Sequence, residues 1–227
     1  MIFTPASPAS VAVFLAIVAF VVVAFLLAVF RGFGGRLRPT LLAALVTGAW
    51  LGGLAGIVAS GRLEALPFQG VPFFFGAVLV VSAGAGLSSF GGKLARAVPL
   101  TALVAFQGFR LPLELVLHEW ARQGTIPGTM TWTGQNWDIV TGLVALLAAP
   151  FVARRRGVAW GANVVGLLLL ANVVRVAVMS SPLPFGWGQQ PPLLLALHLP
   201  YALIGPVCVG GALFGHLVLT RALWQRR

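Results

Sequence analysis

Acidic residues are nearly missing from this chain. Its 227 residues include four Asp and Glu against fifteen Lys and Arg, and charged residues make up only 8%, where soluble proteins carry about 25%. With 59% hydrophobic residues, a soluble core of this size is excluded, because it could not use that much apolar surface. Cysteine is reduced to Cys208 inside an apolar run, which excludes an intrachain disulfide and any CxxC metal or redox motif. Lysine is reduced to Lys93, between apolar runs. A retinal Schiff base on the last segment is therefore excluded. The N-terminal "MIFTPASPAS" has no basic run and no cleavage site after its apolar stretch, so it reads as a short tail before a retained helix.

What is present is a series of apolar runs. Seven reach toward the roughly 20 residues that cross a hydrocarbon core: about 11–30, 40–60, 71–90, 98–119, 138–153, 158–179 and 192–223. The expected fold is an all-α polytopic bundle of seven transmembrane helices in one domain, residues 1–227. Arg31, Arg36, Arg38, Lys93, Arg96, Arg154, Arg155, Arg156, Arg221, Arg226 and Arg227 fall in alternate connections and the C-terminus, while the other connections hold only Arg62 and Arg122. The positive-inside rule then sets the N-terminus outside and the C-terminus in the cytoplasm. This spacing also explains the net charge of +11 without nucleic acid, because no long basic patch or nucleic-acid motif accompanies it. Arg in place of Lys, with much Ala, Gly and Val, points to a GC-rich bacterial genome and the bacterial inner membrane.

The second segment places Ala44, Gly48, Gly52, Gly56 and Ser60 on one face. Such a face lets helices approach closely. It suits bundle packing or, more specifically, a homo-oligomer or a larger membrane complex. Gly211 and Gly215 give the seventh segment a shorter version.

The fourth segment is unusual. At 100° per residue, Gln107, Arg110, Glu114 and His118 share an arc of about 80°. Arg110 can pair with Glu114, and Glu114 with His118, each four residues on. Charges at bilayer depth are costly and normally face the bundle. Pro112 cannot donate to Gly108, which frees that carbonyl. Other segments bring Asn136, Asp138, Asn172, Arg175, His198 and Tyr201 toward the same outer half, while Asn163 and His216 lie in the inner half. The pattern predicts a polar pocket open toward the periplasm. Each residue also has a structural reading: Arg110–Glu114 as a packing ion pair, Asp138 as a helix-start acid, Asn172 as interhelical glue, and Arg175 as a snorkelling cation.

The loop "EWARQGTIPGTMTWTGQNWD" carries Trp120, Trp132 and Trp137, which suit an interfacial anchor or a lid over the pocket. The uncharged "SSPLPFGWGQQPP" is expected to border the same opening.

Several chemistries compete for such a pocket. His118 and His198, on two helices, are arranged as a haem would need, and with Glu114 as a metal would need, though neither spacing is diagnostic. His198 and His216 are about 27 Å apart along one helix and cannot share an iron. Ser180 and Ser181 lack a nucleophile elbow. Glu114 and His118 can act as acid and base with Arg110 as an anion clamp, and the same residues would serve a small transporter. No inverted repeat divides the segments. The reading with fewest assumptions is binding of a small ligand, an ion or a partner subunit.

The stretches "FRLPLELVLHEW", "IPGTMTWTGQNWDIVTGLVALLAAP", "SSPLPF" and "GHLVLTRAL" resemble an uncharacterised family of bacterial multi-pass membrane proteins, over roughly residues 106–223. The resemblance implies no activity, cofactor or partner. Arg110, Pro112, Glu114, Met130, Thr131, Gly134, Asn136, Asp138 and His216 match motif positions of that family, which turns attention to the fourth and fifth segments and to His216.

Overall fold

A computed structural model describes residues 2–65 and 67–225. Met1, Leu66, Arg226 and Arg227 lie outside the described residues, so two of the C-terminal basic positions have no structural account. All regular structure among the described residues is helical. Six helices are long and apolar enough to cross a membrane: α1 (Pro8–Gly32), α2 (Leu37–Ala59), α3 (Gly70–Leu87), α5 (Leu100–Arg122), α7 (Arg156–Ser180) and α8 (Tyr201–Gln225). Shorter helices join them: α4 (Ser89–Ala97), the apolar α6 (Ile139–Phe151) and a single turn at Arg62–Ala65.

Local chemistry sets these boundaries. Ser7 caps α1 by accepting from Ser10 N–H at 3.4 Å, with Pro8 in the first turn. The third apolar run does not continue to Phe90. It breaks at Ser88, whose hydroxyl accepts from Phe90 N–H at 3.2 Å and starts α4, and α4 carries Lys93 and Arg96 as an amphipathic helix. In α5 the residues just before Pro112 tighten into a 3₁₀ turn at Gln107–Phe109. The last helix starts at Tyr201 rather than Pro192. Pro200 restrains Leu199 and removes an N–H, so residues 193–199 form short turns, and α8 opens through 3₁₀ and π turns at Tyr201–Ile204 and Gly205–Val209.

α6 is short because residues 131–138 run irregularly into the bundle, where Asn136 and Asp138 are buried. Its Gly142 is pressed against the Leu111 backbone, so no Cβ fits there. α2 packs on α1 and leaves most of its surface outward. Gly48, Gly52 and Gly56 all face open space.

The bundle has two recognisable ends. At one, Phe3 stacks on His198 with centroids 4.0 Å apart, Ala6 N–H donates to the Tyr201 hydroxyl at 2.8 Å, and Thr129 and Ser180 hydroxyls meet at 2.7 Å. At the other, Arg221 donates to the carbonyls of Gly86 and Ser88, and Lys93 lies 4.8 Å over the Phe33 ring. Among the described residues two large apolar clusters fill most of the core, with a small third one at Val58, Leu63 and Ala202. One large cluster holds Phe14, Leu113, Trp120, Leu170 and Cys208, and the other holds Leu94, Val104, Ala159, Val218 and Leu219. Along α5, α7 and α8 the change from one cluster to the other falls where Gln107, Asn163 and His216 stand.

Candidate functional site

A buried polar layer therefore separates two apolar halves. Its centre is Arg110, 2% exposed, on the inward face of α5. The irregular stretch before α6 carries Asp138 to it, and Arg110 Nε donates to Asp138 Oδ2 at 2.5 Å. The expected i,i+4 pair with Glu114 is thus replaced by a partner twenty-eight residues on. Arg110 Nη1 donates to the Gly166 carbonyl and lies 3.2 Å from His216 Nε2.

The layer continues in both directions. His216 Nδ1 lies 2.9 Å from Asn163 Oδ1, and Asn163 Nδ2 donates to Thr220 Oγ1 at 2.7 Å. With Nδ1 protonated, Nε2 presents a lone pair to the guanidinium. On the other side, Asn136 Nδ2 donates to both Glu114 oxygens, at 2.9 and 3.1 Å, and to the Met130 carbonyl at 3.1 Å. Its Oδ1 accepts from Asp138 N–H at 3.2 Å. Asp138 sits at the start of α6 but does not cap the backbone. Its Oδ1 accepts from Thr141 Oγ1 at 2.9 Å, leaving Oδ2 for Arg110.

Arg110, Glu114 and Asp138 line a cavity of about 200 Å³. Its walls are otherwise almost wholly apolar, from α3 (Val71, Phe75, Leu79), α7 (Val173, Val174) and α8 (Cys208). α3 packs along α8 and α4, and α7 along α8 and α6; the two walls themselves barely touch. Bonding within the layer is incomplete. Among the described residues, Arg110 Nη2 is buried without a hydrogen-bond partner, and Glu114 forms no ion pair within 4.0 Å. Buried polar groups are almost always paired, so an unspent guanidinium donor is unusual.

The remaining candidates are dispersed. Gln107 joins the layer and donates to the Ala212 carbonyl at 3.3 Å. His118 turns away to stack on Trp132, centroids 4.3 Å apart. Asn172 and Arg175 brace the irregular loop from outside: Asn172 Nδ2 donates to the Gln135 carbonyl at 2.7 Å, and Arg175 Nη2 to Asn172 Oδ1 at 2.8 Å. Tyr201 anchors the N-terminal stretch. His198 sits at the bundle end, 3.9 Å from Glu64. His118 and His198 thus have separate surroundings, and no group of three His, Cys, Asp or Glu among the described residues is placed to hold a metal. The expected lid also divides. Trp120 is a core residue, its Nε1 donating to Ser10 Oγ at 3.0 Å and its ring edge-on to Phe14 and Tyr201. Trp132 is half-buried, and only Trp137 is exposed.

Spacing along one helix does not reveal His216, Asn163 or Thr141, because they meet the stripe only through packing. The sequence sets Asn163 and His216 in the inner half, apart from the stripe, and packing brings His216 to Arg110 and Asn163 to His216. Comparison with protein-family models, with curated proteins and with solved structures gives no match.

Proposed function

We propose that the chain is a bacterial inner-membrane protein whose intramembrane pocket, facing the periplasm, binds a small ligand, an ion or a partner subunit. The observation that carries this reading is the unspent Nη2 of buried Arg110 beside an apolar cavity. A layer built only for packing would use its strongest donor, since an unpaired buried group lowers stability. Here three partners hold the guanidinium in place, at Asp138, Gly166 and His216, and one edge is left over. Preorganisation of that kind favours recognition. The orientation follows from the basic connections, which would lie in the cytoplasm.

The test uses Gly76, which lines the cavity and where an added Cβ meets nothing within 4 Å. Gly76→Phe puts a ring at the cavity wall from a position outside the polar layer. Native mass spectrometry of wild-type protein from its own membrane should show a bound molecule that Gly76→Phe lacks, at unchanged unfolding temperature. Identical spectra for both proteins, with Arg110→Gln and Glu114→Gln altering only stability, would make the layer purely structural.

A further inference from the structure

We infer that the pocket takes an uncharged amphiphile, a single-chain lipid with a hydroxyl head, which enters sideways from the bilayer between α3 and α7. This rests on the binding reading above and gives its ligand a chemical class.

The head is specified by the polar end. Arg110 Nη2 offers N–H groups with no acceptor. Among the described residues Glu114 receives hydrogen bonds from Asn136 alone, so its carboxyl has capacity left for a ligand. A hydroxyl accepts from the guanidinium and still donates to a carboxylate, or accepts from a carboxylic acid. Charge narrows the choice further. Two carboxyls, Glu114 and Asp138, already stand against one guanidinium. His216 adds no cation while its Nε2 faces Arg110 as acceptor. An anionic head would add a third acidic group to a buried layer, and a cationic head would leave Nη2 unmet.

The body is specified by the walls. The cavity of about 200 Å³ exceeds the roughly 150 Å³ apolar cavity that accommodates benzene in another protein. It suits the first part of an alkyl chain, with the remainder left in lipid. The route is specified by packing: α3 and α7 bound the cavity and barely touch.

The experiment uses the full chain in phosphatidylcholine nanodiscs with diazirine-bearing dodecan-1-ol, dodecanoate and dodecylamine. Labelled peptides are mapped with and without excess unlabelled competitor. The alcohol should label α3 and α7 wall peptides saturably, at least about tenfold over the carboxylate. Gly76→Phe should abolish that labelling. Glu114→Gln, which removes one acidic group, should shift selectivity toward dodecanoate by about tenfold. Preference for dodecanoate or dodecylamine in the wild type, or unchanged selectivity in Glu114→Gln, overturns the ligand class while the binding pocket stands. No saturable labelling of the walls by any probe, with Gly76→Phe indistinguishable from wild type, overturns both.

Discussion

Replacing Asn136 with Ala removes one side chain and strands three groups. Glu114 loses its donor at 2.9 and 3.1 Å, the Met130 carbonyl loses one at 3.1 Å, and Asp138 N–H loses its acceptor at 3.2 Å. Hydrogen bonds between membrane helices average about 0.6 kcal/mol in double-mutant cycles, so three ordinary ones would total about 2 kcal/mol. Stranding a buried group costs about 1–3 kcal/mol, so three at the low end give about 3 kcal/mol. The expected loss is therefore about 2–3 kcal/mol, roughly thirty- to a hundredfold or more in the folding equilibrium. Asn136→Asp separates shape from chemistry. It keeps the volume and the acceptor for Asp138 N–H, but sets a second carboxyl about 3 Å from Glu114, where two such groups share one proton. That variant should be less stable than Asn136→Ala at neutral pH and should recover as the pH falls. The assay is SDS-induced unfolding in mild detergent, followed by tryptophan fluorescence and circular dichroism. Gln135→Ala on the exposed side of the same loop serves as reference, with an expected change within about 0.5 kcal/mol. A loss under about 1 kcal/mol for Asn136→Ala, or a wild-type-like Asn136→Asp at neutral pH, would refute the layer as a bonded unit.

Gly142→Ala would press a methyl into the Leu111 backbone, and the same titration should show a loss of about 1–3 kcal/mol. Gly52→Ala on the open face of α2 should be neutral or stabilising by up to about 1 kcal/mol. Trp120→Phe keeps a ring against Phe14 and Tyr201 but drops the bond to Ser10 Oγ, so a loss of about 1 kcal/mol or somewhat more is expected. At His198, burial lowers the pKa from 6.5 and outweighs the opposing pull of Glu64. The folded chain then binds this proton less readily than the unfolded chain, so stability is full above that value and declines as pH falls below it. His198→Gln should flatten this part of a plot of unfolding temperature against pH.

Much of the fold is legible in the sequence because lipid rewards long apolar runs and little else. The six long helices overlap six of the expected runs, and three of the four residues of the expected polar stripe on α5 stay together while His118 leaves it for Trp132. Gln107, Arg110 and Glu114 do face inward together, as a 3.6-residue period requires. The departures have local causes. Pro200 stops an apolar run from becoming helix, and Ser88 divides another. Asn136 and Asp138 are satisfied by the bundle interior, so residues 131–138 enter it without forming helix. Partnership is the part that periodicity hides. Arg110 has Glu114 four residues away and pairs instead with Asp138, because a loop can deliver a carboxylate along a line that a neighbour on the same helix cannot. His216 and Asn163 join from helices whose own patterns are nearly uniform in hydropathy. Trp120 resembles an interfacial anchor in sequence and is a core residue in space, held by Ser10 from the far end of the chain.

The Arg110–Asp138 pair also sets an order of events during synthesis. Arg110 leaves the ribosome twenty-eight residues before Asp138. At about 5–20 residues per second that interval is roughly 1–6 seconds. His216 follows 106 residues after Arg110, a delay of roughly 5–20 seconds. During the first interval the carboxylates that follow Arg110 are Glu114 and Glu119. The nearer of them is Glu114, one turn further along. The ion pair at the centre of the layer can therefore close only once the loop before α6 has been made, and the contact with His216 only near the end of synthesis.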